Sequence, residues 1–342
     1  MNQLPFSPDI NNTALASVFN YTSATYKFYW FLGLVEEIEA GSKKIQKKNI
    51  FARMLANAWY PVEYFRLSFG SQDKIEELIA DFKKTIVINQ SDSKEKIFQK
   101  LVVRKQETKL FHLDKNVPHK FLSPWFKGSK KSVYENSQHD FNNAMYRLFK
   151  NEIIINDNWF DYISLNAKII KDFIYWNLAL FVQARNPSTP NVLNKLIKPA
   201  KRSPLTKQRQ KFWNVYLEQR PNTRCIFTNE ILDINNYQVD HFVPYSFVSH
   251  DLIWNLVPIN ANFNSSKNNK LPLVNKHFKA FYTIQQDAIQ FFGKAMLKSF
   301  KEEYLSIFPR FSEQQNISFD SYKDVIVPLI TVAHNNGFEY LE

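Results

Sequence analysis

An aspartate and a histidine stand side by side at Asp240-His241, within Gln238-Val239-Asp240-His241-Phe242-Val243-Pro244. Asn255 follows His241 by fourteen residues and Asn264 follows Asn255 by nine, in Asn264-Ser265-Ser266-Lys267. An imidazole titrates near neutrality and can take a proton from water. Carboxylate and amide oxygens suit a hard divalent cation, and few protein ligands leave room on it for phosphate and water. This grouping matches the needs of metal-assisted phosphodiester hydrolysis. It requires Asp240 and Asn264 close enough to share one ion, with His241 open toward the phosphorus.

The flanking residues predict strand, turn, strand, loop and helix. Thr223 to Phe227 reads as a short strand, and Thr228 to Asn236 is rich in turn formers. Tyr237 to Phe242 forms the second strand, with Val239 and His241 on one face and Asp240 on the other. A loop runs to Trp254. Pro258 to Lys267 then reads as a helix, with proline tolerated at its first position.

On these residues Cys225 to Pro272 resembles the HNH endonucleases, whose ββα-metal fold places two strands and a helix around one divalent ion. The Asp-His-x-x-Pro element and the two spacings are especially similar to the HNH domain of type II CRISPR effector nucleases, where the last position is also Asn. Upstream, Arg185-Asn186-Pro187 and the helix of Trp159 resemble uncharacterised stand-alone bacterial HNH proteins. The resemblance implies His241 as general base and Asp240 and Asn264 as ligands of one Mg²⁺ or Mn²⁺. It implies that Asn255 holds the loop orienting His241 and that Lys267 meets a phosphate. Stand-alone proteins of this look often serve restriction or defence against phage.

Many HNH proteins add a structural zinc held by two Cys-x-x-Cys pairs. Here Cys225-Ile226-Phe227-Thr228 keeps only the first position, and Asn260-Ala261-Asn262-Phe263 has no cysteine. One thiol cannot build a tetrahedral zinc site, so no structural zinc is expected. Cys225 then reads as a small buried hydrophobe, with Phe227, Phe263 and Trp254 supplying cohesion by packing.

The rest of the chain sets the frame. At 342 residues it exceeds the size at which single cores stop growing, so two domains are expected. Its 31 Phe, 16 Tyr and 7 Trp suffice for real cores. A net charge of +12 favours a polyanionic partner. The single cysteine rules out an internal disulfide. The N-terminus lacks the basic and apolar regions of a secretion signal, and the longest uncharged apolar run, Phe173 to Val182, is too short to span a bilayer. A soluble, cytoplasmic protein with no membrane partner is the expectation.

Apolar periodicity makes the first 200 residues mainly helical. It predicts helices over Tyr26 to Ile38 with a stop at Gly41, Ile45 to Trp59 ending at Pro61, and Ser71 to Phe82. It predicts others over Ser93 to Arg104 and Asn158 to Ala184, the last as the central helix, its aromatics packed in the core. Leu273 to Phe308 and Tyr322 to His334 read as later helices. The fold class is therefore mainly α: a helical N-terminal domain over 1–190 for binding or regulation, a basic connecting segment over 191–220, and an HNH nuclease domain over 221–342 with a ββα-metal core surrounded by helices. The connecting segment holds eight Lys and Arg against Glu218 alone, which points to backbone contact through Lys201, Arg202, Lys207, Arg209 and Lys211. The reading is cleavage of DNA, with a homodimer or a defence-system protein as possible partners. An RNA-cleaving HNH nuclease and a catalytically silent nucleic-acid-binding module are the alternatives.

Overall fold

The helix Tyr26–Glu39 buries Phe28, Tyr29, Trp30, Phe31, Leu32, Leu34, Val35 and Ile38, on nearly every side. A helix apolar all round must be enclosed. The structure, a computed structural model, describes residues 4–102, 107–115, 117–139, 144–197, 204–311 and 316–342. Two compact units compose the chain: residues 1–187 with 192–201, and residues 188–191 with 202–342. Tyr26–Glu39 is the enclosed helix of the first unit. Lys47–Glu63 packs closely on it at Gly33, where an added Cβ would stand 3.1 Å from Ile50 Cγ2.

The long helix Asp157–Gln183 does not take the central place that its composition predicts. It buries Trp159, Tyr162, Ile163, Ile170, Phe173, Ile174 and Leu178, whereas Leu165, Ile169, Trp176 and Leu180 face water. Only one side of it is needed to close the core. The first unit also holds a sheet that its helical periodicity concealed. Strand β1 (Lys44–Gln46) pairs with β3 (Glu152–Ile155), and β3 pairs with β2 (Tyr146–Leu148), both antiparallel. Ile45 is thus a buried strand residue opposite Ile153, and the following helix continues through Pro61 into its last turn. Strands of three or four residues are too short to display a period of two.

In the second unit β4 (Tyr237–His241) pairs antiparallel with β5 (Leu256–Asn260), from Tyr237 opposite Asn260 to His241 opposite Leu256. This corrects the predicted pair of strands. Thr223 to Phe227 contributes a single bridge, Arg224 to Ile231, and Pro258 lies within β5 opposite Val239 rather than opening a helix. Leu256-Val257-Pro258-Ile259 is a wholly buried apolar run, and a two-stranded sheet tolerates a proline whose missing N–H lies on its outer edge. The short helix Ala261–Lys267 follows at once, with the Asn260 side-chain oxygen capping the Asn262 N–H at 2.9 Å.

Helices Val274–Phe292, Lys298–Leu305 and Phe319–Asn335 enclose this hairpin. Phe242, just past β4, stacks on Phe281 with ring centroids 3.9 Å apart. Buried Gln285 spans the gap between helix and hairpin: Nε2 donates to the carbonyls of Ile253 and Leu256 at 3.2 and 2.6 Å, and Oε1 accepts from Tyr304 Oη at 2.6 Å. Among the described residues no helix is long and apolar enough to cross a membrane.

Gln285→Ala leaves buried donors and acceptors without partners. It should destabilise the second unit by about 3 kcal/mol, read as a lower denaturant midpoint at unchanged slope; a loss below about 0.5 kcal/mol would deny it this bridging role.

Candidate active site

Successive side chains of a strand point to opposite faces, so Gln238 and Asp240 share one face of β4 and Val239 and His241 the other. Helix Ala261–Lys267 lies on the first face. Lys267 Nζ donates to Asp240 Oδ2 at 2.7 Å and to the His241 carbonyl at 2.7 Å, and both charged side chains are buried. One turn earlier, Asn264 donates through Nδ2 to Gln238 Oε1. Asn264 and Asp240 therefore belong to the same strand face. Lys267 is not the phosphate-facing residue of the sequence reading: its ammonium is the buried counter-ion of Asp240, because a carboxylate taken out of water needs a compensating charge.

On the opposite face His241 is 0 % exposed. Its Nε2 lies 3.0 Å from the His250 carbonyl and 3.0 Å from Asp251 Oδ1. Both partners are acceptors, so Nε2 carries a proton in this arrangement. Tyr245 meets the ring edge-on at 5.4 Å. The imidazole is thus oriented but covered, where the sequence reading asks for one open to the phosphorus. The return of the chain at His250 and Asp251 closes over it.

Asn255, also buried, accepts from the Val243 N–H at 2.9 Å and donates to the Val243 carbonyl at 2.8 Å. These two bonds tie the loop between the strands two residues past His241. Farther along the loop, Glu303 accepts from the Ile253 N–H at 2.6 Å. Burial raises that carboxyl above the usual range, and the N–H bond opposes the rise. Gln208 Nε2 donates to the Asp251 carbonyl at 3.0 Å, joining the loop to the start of the basic helical segment.

In that segment Arg209–Trp213 forms a π-helical turn between two α-helical pieces, a local feature often found at functional sites. Arg209 lays its guanidinium 4.9 Å from the ring centre of Tyr237, whose hydroxyl burial pushes up to about 12. Arg209, Gln210, Asn214, Gln238 and Asn264 line an open groove of about 750 Å³. Lys207 instead lies over the Phe300 ring at 5.1 Å, and Lys211 is exposed without lining the groove. Lys201 and Arg202 lie outside the described residues. Gln238 and the bond from Asp251 to His241 had no clear sequence signal. The first shows only as a position two before Asp240, and the second depends on how a loop returns.

Asp240 and Asn264 offer one carboxylate and one amide oxygen, donors of the hard type that Mg²⁺ accepts. Among the described residues no three His, Cys, Asp or Glu side chains gather as a metal-binding group. Any ion held by Asp240 would have to displace Lys267, since ammonium and cation claim the same carboxylate. Cys225 is buried, its sulfur 3.4 Å from the Asn260 nitrogen, and Phe227 stacks on Phe263 at 5.1 Å. Residues 224–273, which include Asp240, His241, Asn255, Asn264 and Lys267, match the family model described as HNH endonuclease. No curated protein and no solved structure matches the chain.

Lys267→Met strands a buried carboxylate and should cost about 3–5 kcal/mol in metal-free buffer. Adding Asp240→Asn should recover most of that loss, and Mn²⁺ should restabilise the single variant but not the double one. Equal unfolding midpoints for single and double variants, with and without Mn²⁺, would rule out this competition for Asp240.

Proposed function

We propose that this chain, whose residues 224–273 match the HNH endonuclease family model, hydrolyses phosphodiester bonds of DNA using one Mg²⁺. A nuclease of this family is a phosphodiester hydrolase that acts on nucleic acid, and HNH endonucleases generally use a divalent metal. The finer reading rests on one observation: within the matched segment, an acid and an amide share one face of β4 while an imidazole whose Nε2 faces two acceptors occupies the other.

In this reading His241 takes a proton from the attacking water through Nδ1, while Asp251 and the His250 carbonyl hold Nε2–H and steady the imidazolium that forms. Asp240 and Asn264 would hold the ion, which when bound stabilises charge on the phosphate and on the leaving oxygen. Asn255 fixes the backbone beside His241, so the ring keeps its aim. Lys267 withdraws from Asp240 as the site loads, and the loop over His241 opens to admit the phosphate. Arg209 draws the backbone of the nucleic acid into the groove that Asn264 also lines, with Lys207 and Lys211 beside it. A role in restriction or phage defence completes the reading. Its support is the resemblance to stand-alone bacterial nucleases, and plaque counts on cells carrying wild type or His241→Ala test it.

Incubation with plasmid and with RNA, in Mg²⁺ or EDTA, separates the possibilities. Plasmid should be cut in Mg²⁺ alone, and His241→Ala should lower the rate at least about 100-fold with binding little changed. Cleavage confined to RNA would replace the substrate, tight binding without cleavage would leave a silent module, and full turnover in the variant would remove His241 from the chemistry. Arg209→Ala should weaken DNA binding and reduce the slope of log Kobs against log salt by about 1. An unchanged slope would place Arg209 off the substrate path.

A further inference from the structure

The long helix Asp157–Gln183 carries a stripe that the unit does not cover. Leu165 is 86 % exposed, Ile169 48 %, Trp176 52 % and Leu180 55 %. The intervals are four, seven and four residues, the repeat of one helix face. Together these side chains leave roughly 500 Å² of apolar surface in water, the size of the largest patch on a typical monomer, which is often functional. The backbone departs from helical geometry at Asn166, where Nδ2 donates to the Tyr162 carbonyl at 2.8 Å, yet Leu165 and Ile169 on either side of that point both stay outside.

The spacing reads the same in both directions. Its midpoint falls between Asp172 and Phe173, so a second copy of this helix, laid antiparallel about that point, sets Leu165 against Leu180 and Ile169 against Trp176 twice over. Such self-complementarity is what an isologous two-fold contact requires, and a partner of unrelated sequence would have no need of it. We propose that the chain forms a two-fold symmetric dimer through this stripe, each copy covering the apolar surface of the other. The two surfaces together come to on the order of 1,000 Å², the lower bound for a specific interface. Asp172 sits nearest the axis on the exposed face, so two carboxylates approach there. Lys168, one turn away on the same helix, offsets part of their repulsion. The proposal stands independently of the nuclease reading, although two copies would bring two HNH sites, one for each strand of a duplex.

Analytical ultracentrifugation of the full chain decides it, because it needs no activity. The wild type should sediment as a concentration-dependent dimer that raised salt does not dissolve. Trp176→Glu should weaken association at least about 100-fold with an unchanged circular dichroism spectrum, and Asp172→Asn should tighten it. A short bismaleimide should join Leu165→Cys to Leu180→Cys when the two proteins are mixed. It should join neither to itself, since like positions lie about 22 Å apart in this register. A monomer at all concentrations, a dimer indifferent to Trp176→Glu, or crosslinking of Leu165→Cys to itself would each overturn the proposal.

Discussion

A carboxylate cannot be sealed inside a protein alone, and the second unit is organised around that constraint at Asp240. Moving an ion of this size out of water costs several kcal/mol even after relaxation. Lys267 meets the cost by donating to the carboxylate and to the carbonyl of His241. The bond fixes where helix Ala261–Lys267 lies, and with it Asn264, one turn earlier on the same helix. The two sequence spacings then have a structural meaning. Fourteen residues is the loop from the end of β4 to Asn255, which the amide of Asn255 ties back at Val243. Nine residues is β5 followed by the first turn of the helix.

Side chains whose order lies in local pattern were legible in the sequence. Helix Tyr26–Glu39 and its stop at Gly41, in left-handed backbone at φ +84°, follow from apolar spacing and a glycine. So do Ile75–Lys83 and most of Phe319–Asn335. The failures came where one local signal supports two structures. Leu256-Val257-Pro258-Ile259 suits a buried strand as well as the entry to a helix, and only the pairing with β4 decides between them. The enclosed helix of the first unit was misplaced because an apolar stripe kept outside resembles an apolar stripe kept inside. Trp176 and Leu180 cannot report from sequence which side of the core they occupy.

The polar groups of the site divide along the same line. Asp240, His241, Asn255 and Asn264 are singled out by residue type and spacing, and a loop, a strand and one helical turn account for the spacing. Asp251 is not, although its carboxylate lies on the ring of His241. Nothing in the sequence tells which loop carboxylate will turn back to which ring. The buried state of Lys267 was equally hidden: the same lysine on the outer face of a seven-residue helix would look identical in sequence.

Both groups to which the proposed reaction assigns the ion and the proton are covered in this structure, by different means. An ammonium holds Asp240, whereas a loop closes over His241. The second cover connects to the basic segment, because Gln208 holds the Asp251 carbonyl while Asp251 holds the ring, and Arg209 is the next residue in the chain. In the proposed reading a backbone phosphate drawn to Arg209 acts one residue away from a bond that fixes the loop over His241. Uncovering His241 by that route needs no distant signal. Releasing Asp240 needs only a cation that binds the carboxylate more strongly than one lysine does. On this reading the two covers are lifted by the two species that the reaction requires, and a chain meeting neither stays closed.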